Sequence, residues 1–63
     1  IYLFELKYIT KKDATESKIN ADIKEATDQV LEYKSALDFK DKNVKAYPMI
    51  FVGPNCVYCK QVN

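Results

Sequence analysis

Glu5 and Lys7 stand one residue apart in the opening run IYLFELKYI. On a strand, side chains two positions apart leave the same face, so this carboxylate and this ammonium would project together. The pair suits metal-assisted hydrolysis of a phosphodiester. A carboxylate holds Mg²⁺ or Mn²⁺, which polarises a phosphate and acidifies a bound water. A lysine close by orients that water and stabilises the charge developing on the phosphoryl oxygens. The alternative for the same two residues is a structural ion pair on a half-exposed strand. A carboxylate inside an otherwise apolar strand bears a desolvation cost, and a metal is a common reason to tolerate it.

A second chemistry is written in PNCVYCK, where Cys56 and Cys59 lie three positions apart. The segment is similar to the dithiol motif of glutaredoxins, in which a cysteine at a helix N-terminus has a lowered pKa and attacks disulfides as the thiolate. Only four residues follow Cys59, too few for such a helix. Strand alternation would instead set Cys56, Tyr58 and Lys60 against Val57, Cys59 and Gln61. Three readings stay open: a redox dithiol, half of a zinc site completed by a second chain, and two plain reduced thiols. Histidine is absent, which removes the commonest general base and metal ligand.

These side chains need elements to hold them. Residues 1–9 are rich in β-branched and aromatic types and predict a strand. Tyr2, Phe4, Leu6 and Tyr8 share one face, and Ile1, Leu3, Glu5, Lys7 and Ile9 the other. Both faces are largely apolar, as in a strand of a sheet covered on both sides. Helix-start chemistry follows, with Asp13 and Glu16 spaced as a capping box and Ser17 or Asn20 as alternative caps. From about Ser17 to Leu37, the residues Ile19, Ile23, Ala26, Val30, Tyr33 and Leu37 form one apolar stripe at helical spacing. Gln29 lies one turn before Tyr33 on its flank. DFKDKN at 38–43 is a polar connector. Residues 44–52 predict a second strand, GPN at 53–55 a turn, and 56–62 a third strand. Pro48 marks an edge, a bulge or the real start of the second strand. The order β-α-β-β predicts an α/β fold: a small mixed sheet with one long helix, its first two strands parallel and its last two antiparallel.

Composition bounds the rest. At 63 residues the chain makes one small domain, and 48% hydrophobic content argues against disorder. The net charge of +1, with ten lysines and no arginine, gives no strong electrostatic argument for nucleic acid. No apolar stretch is long enough to span a bilayer and no signal peptide is present, so a cytoplasmic location with no membrane partner is expected. The chain opens inside an apolar run, which reads as a single partial domain over 1–63 taken from a longer protein. Its exposed sheet edge would favour homo-oligomers.

YLFELKY, the helix with EATDQVLEY, and KAYPMIFVG together resemble the PD-(D/E)XK nuclease-like domain at the C-terminus of bacterial proteins with an AAA-ATPase-like N-terminal region. The resemblance covers nearly the whole chain and implies a partial restriction-endonuclease-like core. It implies that Glu5 is a metal ligand, that Lys7 is the catalytic lysine, that Gln29 is a polar helix contributor to the site, and that Tyr33 is an accessory helix tyrosine. It further implies Mg²⁺ or Mn²⁺ as cofactor and DNA as partner of the intact parent. The superfamily's first acidic ligand lies on the strand before the E-x-K strand, which would be the upstream part of the same protein. The segment alone is expected to be inactive. A non-catalytic nucleic-acid or protein binding module on the same fold is the alternative.

Overall fold

A computed structural model describes residues 1–38 and 43–62. Strand β1 spans Tyr2–Ile9, helix α1 Glu16–Asp38, strand β2 Lys45–Val52 and strand β3 Asn55–Cys59. They form a three-stranded mixed sheet in the order β1-β2-β3, with α1 on one face. This is a small α/β fold of two layers. β1 and β2 run parallel in unbroken register from Tyr2 opposite Lys45 to Ile9 opposite Val52. β3 returns antiparallel. Because β1 and β2 share a direction, the helix between them must run back against both. The connector expected at 38–43 falls at 39–42 outside the described residues.

The cap differs from expectation. Thr15 takes the N-cap: its Oγ1 accepts the Lys18 amide at 3.1 Å, and its carbonyl accepts the Ile19 amide at 2.9 Å. Asp13 instead closes a short 3-10 turn over Lys11–Asp13 and accepts from the Thr10 hydroxyl at 3.1 Å. A residue bound into the preceding turn is unavailable to cap the helix, and Glu16, Ser17 and Asn20 already lie inside it.

The core sits between α1 and the sheet. Ile9, Ala26 and Ile50 form its centre, with Ile19, Ile23, Val52 and Tyr58 packed around them. Ala26 and Val30 are fully buried, which bears out the middle of the apolar stripe. Tyr33, expected to extend that stripe, is 54% exposed.

Pro48 is fully buried inside the central strand, which begins three residues earlier at Lys45. The amides of Lys45 and Gly53 donate to Ile1 and Ile9, so odd-numbered β2 residues bond toward β1 and even-numbered ones toward β3. On the β3 side the strand pairing stops at Met49 opposite Cys59 and resumes only at an isolated bridge between Ala46 and Val62. Pro48 falls in that gap, where no ladder bond asks for its missing hydrogen.

Two further expectations change. The third strand ends at Cys59 rather than running to 62, and it carries a bulge where Ile50 pairs Tyr58 but Phe51 pairs Cys56. Val57 is the extra residue. Paired residues share a face, so Cys56 and Cys59, opposite Phe51 and Met49, lie on the same side rather than on opposite sides. The sheet is also not covered on both faces. Tyr2, Phe4, Leu6 and Tyr8 are exposed on the side away from α1, with Tyr8 at 70%.

Candidate active site

β1 is a strand because its alternating aromatic and β-branched residues fit a pleated surface, and its register on β2 fixes which side chains meet the helix. Leu3, Glu5, Lys7 and Ile9 take that face. Glu5 and Lys7 are therefore neighbours on one face, as their spacing requires, and both are half-buried beneath α1.

They do not pair with each other. The Lys7 ammonium donates to Glu25 Oε1 of α1 at 2.9 Å. Glu25 was not among the residues singled out from sequence. Its signal was present in the helical spacing, since 22, 25 and 29 fall on one flank of α1 beside the stripe. The hydrogen bond to Glu25 is the main cause that holds the Lys7 pKa above the ordinary lysine value. Partial burial opposes it, and the charges of Glu25, Glu5 and Asp22 add to it. Asp22 is buried and bound to Lys18 at 3.0 Å. Lys7 is thus a fixed cation, suited to stabilising negative charge rather than to removing a proton.

Gln29 follows from the antiparallel run of helix and strand. Stepping from Lys7 back to Glu5 moves ~6.6 Å along β1. Stepping from Glu25 on to Gln29 moves ~6 Å along α1 in the same direction. The Lys7–Glu25 contact therefore sets Gln29 level with Glu5. Its Oε1 is buried and has no hydrogen-bond partner, an unusual state for an amide oxygen. Tyr33, one turn further along α1, is exposed.

Residues 1–61 match the PD-(D/E)XK nuclease superfamily. The chain belongs to that superfamily. No curated protein and no solved structure matches it. In this PD-(D/E)XK chain Glu5 and Lys7 stand on the helix-facing side of β1, and Gln29 stands on α1, the helix that follows. Cys56 and Cys59 lie on the other face of the sheet and take no part in that row. They are exposed and unbridged, and they sit on a strand rather than at a helix start, so the electrostatic device that activates a glutaredoxin-type thiol is not built here.

Members of the superfamily commonly use divalent metals. The donors here fit such an ion in kind, since Glu5 and the orphaned Gln29 Oε1 are hard oxygen ligands. They fall short in number. Among the described residues no three Asp, Glu, His or Cys side chains converge on one point, and no enclosed pocket forms. No helix among them is long and apolar enough to cross a membrane.

Proposed function

We propose that this chain carries half of a metal-dependent phosphodiesterase site, completed in the parent protein by a carboxylate from outside residues 1–63. The observation that carries the reading is the buried, partnerless Oε1 of Gln29, which the rises of helix and strand set near the level of Glu5. Leaving a buried acceptor unsatisfied costs about 1–3 kcal/mol, and a ligand or cation that uses the oxygen removes that cost. A divalent cation held there would polarise a phosphate oxygen and acidify a water.

The roles of this chain's own groups follow from their surroundings. Glu5 supplies a carboxylate on a rigid strand. Gln29 supplies a neutral oxygen from the helix. Lys7, kept cationic by Glu25, stabilises the charge that builds on the phosphoryl group. β1 lies at the edge of the sheet, with β2 on one side only. A preceding strand added to its open edge would stand ~4.8 Å away and bring its carboxylate beside Glu5. DNA is the substrate we assign. With a net charge of +1 and no arginine, most contacts to its backbone would come from the rest of the parent.

One observation favours a second reading. The Lys7 ammonium is already engaged by Glu25, as in a structural pair, which fits a binding module that has lost catalysis. The deciding experiment is plasmid nicking by the full parent protein in Mg²⁺ or Mn²⁺, beside its Lys7→Ala and Glu5→Gln variants. Metal-dependent nicking lost by ~100-fold or more in both variants supports the site. A folded parent that binds DNA without nicking it would make the domain a binding module and leave Lys7–Glu25 a structural pair.

A further inference from the structure

Glu25 of α1 supplies no ligand to the half-site proposed above, yet it binds the cation in it. The Lys7 ammonium donates to Glu25 Oε1 at 2.9 Å, while Asp22, the next carboxylate back along the helix, is taken up by Lys18 at 3.0 Å. A lysine carries a point charge on a flexible four-carbon stem, so a strand fixes where that stem begins and leaves open where the ammonium ends. The Lys7 side chain is 22% exposed beneath α1, and the helix carboxylate gives its far end a second anchor. Glu25 takes one of the three donors that an ammonium has and leaves two for the oxygens of a phosphate. An ion pair with one partner 57% exposed adds little to stability, so stability is a weak account of why the two meet.

We infer that Glu25 is a positioning residue for the phosphodiester hydrolysis assigned above, holding the Lys7 ammonium in place for the charge that develops on the phosphoryl group. The inference rests on that assignment. A group stabilises a developing charge best when it is already in position, because no reorganisation is then needed at the moment of reaction. A carboxylate beside a lysine also weakens its field at a phosphate, so the pair has one of two opposite meanings. If Glu25 parked Lys7 away from the substrate, breaking the pair would speed hydrolysis. If Glu25 holds Lys7 in place, breaking the pair slows it. The half-buried stem favours the second, since it leaves the ammonium little room to swing away from the helix. Lys7 also shares its face of β1 with Glu5, so an ammonium held beneath α1 stays on the side where the cation-binding carboxylate stands.

The test is a double-mutant cycle in the full parent protein, read by plasmid nicking in Mg²⁺ at steady state and, for slow variants, in single turnover. Glu25→Ala, Lys7→Ala and the two together are compared with the unchanged protein. Glu25 is exposed, so its truncation leaves the fold intact, which circular dichroism and thermal unfolding check. The expected result is that Glu25→Ala lowers kcat ~10-fold or more with KM for DNA unchanged, and costs nothing further once Lys7 is alanine. A residue that only supported the fold would cost as much in either background. Equal losses in both backgrounds therefore overturn the inference, and so does an unchanged kcat. A raised kcat overturns it in favour of a parked lysine. Failure of the underlying assignment looks different: the unchanged parent does not nick, or nicks equally well without Lys7, and either result removes the inference with it.

Discussion

Lys7 on β1 and Glu25 on α1 are joined across 2.9 Å, the one ion pair among the described residues that ties the helix to the sheet. The other two, Lys18–Asp22 and Lys24–Asp28, stay within α1. A contact between elements sets the level of one against the other, and this one fixes α1 along β1.

The first prediction concerns its proton. A lysine whose folded pKa exceeds its unfolded value contributes stability that is complete below the unfolded value, near 10.5, and is lost as pH rises through the folded value. Glu25→Gln should lower the Lys7 pKa toward the ordinary value, read by NMR titration of the side-chain carbons. It should also remove part of the fall in stability above that pH. An unchanged Lys7 titration would mean that the pair does not form in solution.

Gln29→Leu should stabilise the domain by about 1 kcal/mol, because it deletes a buried acceptor that has no partner and keeps the packing volume. Urea denaturation measures this. The same variant in the parent protein should lose metal-dependent nicking, so stability and activity would move in opposite directions. A destabilised variant would show that the amide oxygen is satisfied.

Thr15→Ala should cost about 0.5–2 kcal/mol, whereas Asp13→Ala should be nearly silent. Comparing the two by thermal or urea unfolding decides which residue caps α1. Equal losses would return the cap to the Asp13–Glu16 pair.

Gly53→Ala should cost about 1–2 kcal/mol, because φ there is 57°. Gly53 and Pro54 make the two-residue turn between Val52 and Asn55, with a positive φ first and a ring-fixed negative φ second, as a type II′ turn requires. The added methyl would lie 3.4 Å from Cε of Lys11, the end of a mobile side chain, so the cost is in the backbone rather than in a clash. A neutral variant would place the turn in another geometry.

Much of this arrangement is legible in the residue order. Two apolar runs around a periodic stripe leave few choices but a parallel β-α-β unit, and the spacing of Glu5 and Lys7 puts them on one face. What escapes is whatever depends on a single extra or missing contact. Val57 adds one residue to β3 and turns the two cysteines to the same side, which no alternation rule foresees. Thr15 wins the cap because Asp13 is spent in the turn before it. Glu25 looks like any exposed helix carboxylate until Lys7 is placed beneath it. Apolar residues on both faces of β1 announce two covers, but sequence does not say which face the helix takes.

Pro48 has a consequence for motion. Gln61 and Val62 are held to β2 by the Val62 amide on the Ala46 carbonyl at 2.8 Å and by the Tyr47 hydroxyl on Gln61 at 3.2 Å. Between this clasp and the end of β3 at Cys59 lies the proline gap. Undoing the clasp has no continuous strand pairing among the described residues along which to spread. Opening at Gln61 and Val62 is therefore insulated from the β1–β2 pairing that keeps Glu5 and Lys7 in line.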